Sequence, residues 1–319
     1  MKVERLLYPD ICKFVAIFIV TWSHCAQRIS GMIWTNFWGG NQLDIAFTMP
    51  LFMLMSGWFV NLDKMRDIPL KEYIISKFKR LIIPSFVWYF VVLILSFNLP
   101  DLSLFTYYWY LTALFVCLCV IMISCKIIKS NPICAIVTNL IVLLIPYSDY
   151  AHINFMMPFL WAGYGLRRIV CMKYAHHFIF LCSIIAVYLC SKWDSYYSVY
   201  TSPFNSININ IEMVQIMSFR FIIGFTLSAV IIYSIMKFEK SWISKLSKYG
   251  YYSLVIYTSS LAILSFLARV FNCLHIHTNM YLFVDIVSFI LCAIIVIVAI
   301  VFANFCKKKE ILSCLFLGE

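Results

Sequence analysis

Residues 11–29 read ICKFVAIFIVTWSHCAQRI, an apolar run that is long enough to cross a lipid bilayer as one helix. A spanning helix needs about 20 mostly apolar residues. Nine further segments of this kind follow along the chain, at residues 44–62, 81–99, 104–125, 132–147, 154–167, 177–191, 211–236, 251–271 and 280–305. The sequence therefore predicts an all-α, polytopic integral membrane protein with about ten transmembrane helices.

The composition agrees with a membrane protein and excludes several other classes. Of the 319 residues, 63% are hydrophobic and 12% are charged, and the mean hydropathy is +0.90. A soluble domain is about half apolar and about a quarter charged. This chain has more apolar surface than a soluble core can hide, so it is neither a soluble enzyme, nor a disordered protein, nor a nucleic-acid-binding module.

The formal net charge of +11 has an explanation in the position of the basic residues. If the N-terminus is cytoplasmic, twenty of the 25 Lys and Arg residues fall in inner segments, and the outer loops hold Arg28 and Lys192. The positive-inside rule then predicts that both termini are cytoplasmic. The basic residues would orient the protein and contact anionic lipid headgroups, so the charge does not indicate a nucleic-acid partner.

The chain has no repeat and no separate soluble segment, so we expect a single transmembrane domain over residues 1–319. The longest inner loop contains apolar residues at helical spacing, with Lys71, Lys77 and Arg80 on another side. This pattern predicts an amphipathic helix at about 70–80 on the inner membrane surface. Aromatic residues near the segment ends are typical of an interfacial belt; they include Trp34, Trp38, Trp58, Tyr107, Tyr108 and Trp109.

Two ionisable residues in the first segment are candidates for function. Lys13 and His24 are 11 residues apart, which at about 100° per residue puts them on one helix face, about 16 Å apart along the axis. Lys13 could hold a phosphorylated ligand at the inner mouth, and His24 could accept a proton deeper in the membrane. Alternatively, Lys13 extends to the inner headgroups and His24 is a hydrogen-bonded core histidine.

Several short motifs occur in a defined order along the chain. They are the Lys13-x10-His24 pair after Asp10, MPLFMLMSGWF at 49–59, Lys77-x-x-Arg80, KRLIIP at 79–84, WYL at 109–111 and GYGLR at 163–167. Together they resemble the acyltransferase family 3 membrane proteins. Two departures are that Lys13 stands where Arg is commoner, and that residues 256–260 lack the histidine that many members have in this helix.

The resemblance implies an integral membrane O-acyltransferase of the bacterial cytoplasmic (inner) membrane. Such enzymes move an acyl group, usually acetyl, from acetyl-CoA on the cytoplasmic side to a hydroxyl of a cell-envelope polysaccharide, another surface glycan, a lipid-linked sugar or a secreted metabolite. The residues fit this expectation, because an anionic donor head would bind Lys13, Lys77, Lys79 and Arg80 at the inner face. Its thioester arm would extend along the first helix toward His24. His24 would act as general base or carry the acyl group itself; the first hypothesis needs one histidine only. We expect acyl-CoA as co-substrate and no bound cofactor, and the chain has no metal-ligand motif such as H-E-x-x-H.

Two polar residues of the second segment have alternative roles. Asp44 could hydrogen-bond a sugar acceptor, orient His24 or cap its own helix. Ser56 is a rival nucleophile, although a Ser-Gly pair such as Ser56-Gly57 more often permits close helix packing.

Charged residues in the last three segments are also candidates. Arg220 and Arg269 could bind a polar acceptor or polarise the acyl carbonyl. Alternatively, Arg269 forms an ion pair with Asp285, because charges within a membrane usually pair.

Other functions remain open at this point. A transporter or flippase for a lipid-linked glycan or small metabolite would use Lys13, His24, Arg220 and Arg269 to line its path. A third hypothesis is a non-catalytic partner in a glycan assembly complex. The sequence does not indicate the oligomeric state.

Overall fold

A computed structural model of the protein describes residues 6–30, 43–96, 107–143, 152–194, 197, 204–205, 208–273 and 281–319. These residues are almost entirely helical. The α-helices are α1 (Tyr8–Ser30), α2 (Leu43–Trp58), α3 (Leu62–Asp67), α4 (Leu70–Lys77), α5 (Ile83–Ser96), α6 (Trp109–Ile127), α7 (Asn131–Leu143), α8 (Ile153–Ile169), α9 (Ala175–Ser191), α10 (Ile211–Phe238), α11 (Ser247–Gly250), α12 (Ser253–Cys273), α13 (Tyr281–Cys306) and α14 (Glu310–Leu312). A 3₁₀ turn covers Trp242–Leu246, and π-helical turns cover Phe78–Ile82 and Ser313–Leu317. Two short antiparallel strands, β1 (Phe204–Asn205) and β2 (Asn208–Ile209), form a small hairpin.

The helical class is confirmed, and each of the ten predicted segments overlaps one of these helices. Within the described residues, five helical stretches are long and apolar enough to cross a membrane. They are Leu70–Leu95, Trp109–Ile127, Ile211–Phe238, Ser253–Phe271 and Phe283–Cys306. The number of ten spans and the cytoplasmic position of the termini stay predictions.

Helices α2 and α8 cross with their backbones in contact. A Cβ atom added at Gly57 would lie 1.8 Å from the carbonyl oxygen of Leu160, and one at Gly163 would lie 2.0 Å from that of Leu54. Residues without side chains are therefore required on both helices. This agrees with the packing interpretation of the Ser56-Gly57 pair.

Several helix ends meet at one end of the bundle, which we call the basic end. The rings of Tyr8 and Trp58 lie 5.7 Å apart, so the start of α1 contacts the end of α2. Gly250, just before α12, lies against the backbone of Asp10. The Nζ of Lys307, just after α13, lies 3.9 Å from the ring centroid of Tyr251.

The predicted amphipathic helix is continuous with the next span. Helix α4 has no buried residue, and the π-helical turn at Phe78–Ile82 connects it directly to α5. Pro84 lies within this continuous helix, two residues after the end of the π-helical turn. The segment after α13 returns to this region, because Nε1 of Trp88 donates to the carbonyl oxygen of Phe316 at 3.4 Å. Whether α4 lies on a membrane surface stays a prediction.

Candidate active site

A cavity of about 730 Å³ lies at the basic end, between α1, α2, α4, α6 and α12. Among its described lining residues are five basic ones, Lys13, Lys64, Lys77, Arg80 and Lys307, and three acidic ones, Asp10, Glu72 and Glu319. The cavity therefore has a surplus of positive charge and favours an anionic ligand.

Lys13 faces this cavity. Its Nζ lies 3.4 Å from Oδ1 of Asp10 and 5.4 Å from the ring centroid of Phe59. Because its side chain is 31% exposed, Lys13 remains accessible to a ligand.

Helix α4 and the turn after it contribute two further cations. Lys77 and Arg80 are three residues apart and line the cavity together, and the Nζ of Lys77 lies 5.3 Å from the ring centroid of Tyr73. Lys79 is exposed and is not among the described lining residues. The helical rotation of about 100° per residue turns it away from its neighbour Arg80.

Aromatic side chains form the far end of the cavity, which we call the closed end. On α2, α6 and α12, the lining residues farthest from the basic end are Phe52, Tyr110 and Tyr257. The ring centroids of Tyr110 and Tyr257 are 6.0 Å apart, and those of Phe52 and Tyr110 are 5.6 Å apart.

Ser56 lies beside Tyr110 at this closed end. Its hydroxyl donates to the carbonyl oxygen of Phe52 at 2.9 Å and lies 3.5 Å from the Tyr110 hydroxyl. The described contacts of Ser56 include no histidine or carboxylate that could remove its proton. The structure thus places Ser56 in the cavity without a base to activate it.

His24 is not among the described residues that line the cavity. Gly250 is level with Asp10, and α1 and α12 both start at the basic end. Counted from this common level, Tyr257 is seven residues along its chain segment and His24 is fourteen residues along α1. At a helical rise of about 1.5 Å per residue, His24 therefore lies about 10 Å farther from the basic end than Tyr257.

His24 belongs to a separate polar group, which we call the histidine cluster: His24, Gln27, Arg28, Tyr107 and Ser265. The Nδ1 of His24 lies 3.3 Å from Oε1 of Gln27. The charge of Arg28 acts on both His24 and Tyr107. The Tyr107 hydroxyl is hydrogen-bonded to Ser265.

A series of tyrosine rings connects the two regions. The centroid distances are 5.4 Å from Tyr107 to Tyr108, 6.1 Å from Tyr108 to Tyr257 and 6.0 Å from Tyr257 to Tyr110. The prediction of an interfacial belt is wrong for Tyr108 and Trp58, which are 0% and 2% exposed. Both rings pack inside the bundle instead. Trp34 and Trp38 lie outside the described residues.

The remaining candidates lie away from the cavity. Asp44 is buried within hydrogen-bonding reach of the Ser23 hydroxyl. Arg220 is 1% exposed, and its guanidinium lies 5.1 Å from the ring centroid of Phe155. Ion pairs between described residues join Lys13 to Asp10 and Arg66 to Asp63.

Among the described contacts of Asp285, none is an ion pair with Arg269, so the structure does not show this alternative pairing. The backbone carbonyl oxygen of Asp285 accepts a hydrogen bond from Nε1 of Trp22 at 3.3 Å. Arg269 is not among the described lining residues of the cavity.

Sequence reasoning missed Lys64, Tyr110 and Lys307 as cavity residues. Lys64 and Lys307 are part of the charge pattern that predicts the inner loops. That pattern indicates the membrane orientation and does not indicate which lysines line a binding site. Tyr110 lies in the WYL motif, which was the one available signal.

An apolar helical bundle with a basic cavity at one end is typical of a membrane protein that binds an anionic substrate. The sequence profile of acyltransferase family 3, described as an acyltransferase domain, matches residues 6–303. The chain belongs to this family and is a membrane acyltransferase. No curated protein and no solved structure matches the chain.

Proposed function

We propose that this protein transfers an acyl group, acetyl in the first instance, from acyl-CoA on the cytoplasmic side to a hydroxyl of a surface or lipid-linked glycan. The observation that carries the proposal is the cavity at the basic end, where cations outnumber carboxylates. The phosphates of a CoA donor are strong anionic acceptors, and Lys and Arg side chains are their usual partners in proteins.

In this proposal the nucleotide head binds at the mouth of the cavity, against Lys13, Lys77 and Arg80. The pantetheine arm, which links the nucleotide to the thioester, extends to the closed end and past it toward His24. Tyr257 lines the end of the cavity, and the ring of Tyr108 lies between it and Tyr107 of the histidine cluster. In this proposal both rings move to let the arm pass during transfer.

His24 is suited to be the general base. The carboxamide oxygen of Gln27 can only accept a hydrogen bond, so Nδ1 of His24 donates to it in this arrangement. Nε2 is then unprotonated and can accept the proton of the acceptor hydroxyl. The hydroxyl oxygen forms the new ester bond to the acyl carbon, the C–S bond breaks, and CoA leaves as a thiolate that takes up a proton.

Vesicles of opposite orientation test this function. Inverted and right-side-out membrane vesicles that contain the protein and its endogenous glycans are given acetyl-CoA labelled in the acetyl group. We expect label in the glycan fraction from inverted vesicles, whose cytoplasmic side faces the donor, and none from sealed right-side-out vesicles. Equal labelling from both orientations, or label that enters only by transport of intact acetyl-CoA, would contradict the proposal.

A covalent acyl-histidine is the alternative mechanism. Incubation with labelled acetyl-CoA in the absence of acceptor, followed by denaturation and peptide mapping, distinguishes the two. The general-base mechanism expects no label on His24, and recovery of labelled His24 would replace it with the two-step mechanism.

A further inference from the structure

The hydroxyl of Tyr110 donates a weak hydrogen bond at the closed end of the cavity. Its one hydrogen-bond neighbour among the described residues is Ser56, at the long distance of 3.5 Å. Ser56 uses its own proton on the carbonyl oxygen of Phe52, so Tyr110 is the donor of that pair. A hydrogen bond of 3.5 Å is weak, and a carbonyl group that enters the cavity can replace it.

The ring of Tyr110 is held in position for this purpose. Phe52 packs against it at 5.6 Å, Tyr257 at 6.0 Å and Trp109 at 6.2 Å, measured between ring centroids. Tyr110 itself is 5% exposed. A donor on a fixed ring loses little conformational freedom when a ligand binds, which favours specific recognition.

The order of chemistry along the cavity indicates which carbonyl Tyr110 meets. Cations lie at the mouth, and apolar side chains of α6, namely Leu111, Leu114 and Leu118, line the wall that leads to Tyr110. A ligand that fits this order has an anionic head and a slender arm that carries an amide. The reacting thioester must extend beyond Tyr110, because His24 lies about 10 Å farther from the basic end than Tyr257.

We propose that Tyr110 donates a hydrogen bond to an amide carbonyl of the pantetheine arm and so positions the thioester for His24. This inference rests on the proposed function. It makes Tyr110 a positioning residue, and it defines the donor class as pantetheine thioesters, to the exclusion of small acyl donors that lack the arm.

Binding of three ligands to the purified full-length protein tests the inference. Adenosine 3′,5′-bisphosphate has the anionic head without the arm, CoA has the head and the arm, and acetyl-CoA adds the thioester. Tyr110→Phe removes the hydroxyl and keeps the ring. Tyr8→Phe is the matched control, because Tyr8 is 5% exposed, as Tyr110 is, and is not among the described lining residues.

We expect Tyr110→Phe to weaken CoA and acetyl-CoA equally, by about fivefold to tenfold for one lost neutral hydrogen bond. Binding of the bisphosphate should not change, and Tyr8→Phe should bind all three ligands as the wild type does. Unchanged binding of CoA, a loss confined to acetyl-CoA, or an equal loss for the bisphosphate would each overturn the inference. If the wild type binds none of the three ligands, the proposed function itself has failed.

Discussion

Replacing Gly57 by Ala should separate the two helices that hold the cavity wall in place. The new Cβ would lie 1.8 Å from the carbonyl oxygen of Leu160 and 2.7 Å from its carbonyl carbon. These are backbone atoms, so no side chain can rotate away, and α2 and α8 must move apart by well over an ångström. Overpacking of a core typically costs about 1–3 kcal/mol, sometimes more, and a clash with rigid backbone belongs at the upper end, about 3 kcal/mol or above.

Thermal unfolding of the purified protein in detergent measures this effect. A loss of that size should lower Tm by roughly 5 °C or more. Gly165→Ala is the matched control on α8, since a Cβ there meets nothing within 4 Å. Replacing a helical Gly by Ala at an open position gains roughly 0.5–1 kcal/mol, so its Tm should not fall. A Gly57→Ala protein as stable as the wild type would refute the reasoning that the two backbones are in contact.

Three further outcomes concern the site. Lys77→Gln should raise the KM for acetyl-CoA about tenfold with kcat little changed, from the loss of one charge-assisted contact, whereas Lys71→Gln on the same helix should not; equal effects would argue against the cavity. Donor affinity, measured by titration calorimetry, should fall as ionic strength rises, because salt screens exposed charges; no salt dependence would contradict a phosphate-binding mouth. His24→Gln should lower kcat at least about a hundredfold with donor affinity retained, and a smaller loss would exclude His24 as the base.

The helices could be predicted from the sequence because the signal for them is local. Each apolar run has its own length and hydropathy, and four of the five long helical stretches follow these runs closely. The fifth, Leu70–Leu95, also includes the predicted amphipathic helix. The shared face of Lys77 and Arg80 is local as well, because a spacing of three residues is close to one helical turn. Both residues line the cavity.

The closed end of the cavity could not be predicted in this way. Tyr110 and Tyr257 are far apart in the chain, and their contact depends on how α6 and α12 pack. No periodicity within one helix records such a pairing. For the same reason, Tyr108 and Trp58 were assigned to the membrane interface by their position near segment ends, although both are buried between helices.

The position of His24 shows the limit of helix-face reasoning. Spacing puts Lys13 and His24 on one face of α1, and this says nothing of what packs between them. In the structure Lys13 lines the cavity, whereas His24 lies in a separate cluster with Gln27. The tyrosine series between the two regions comes from α12, from α6 and from the two residues before α6. The sequence of α1 gives no sign of it.

Single-turnover transfer from labelled acetyl-CoA tests the central claim most directly. Membranes that hold equal amounts of wild type, His24→Ala or Lys13→Ala protein are given labelled donor, with endogenous lipid-linked glycans as acceptor. We expect transfer by the wild type, none by His24→Ala, and transfer by Lys13→Ala that is restored at high donor concentration. Equal transfer by all three proteins would contradict the assignment of both residues and direct the search for the base to another part of the bundle.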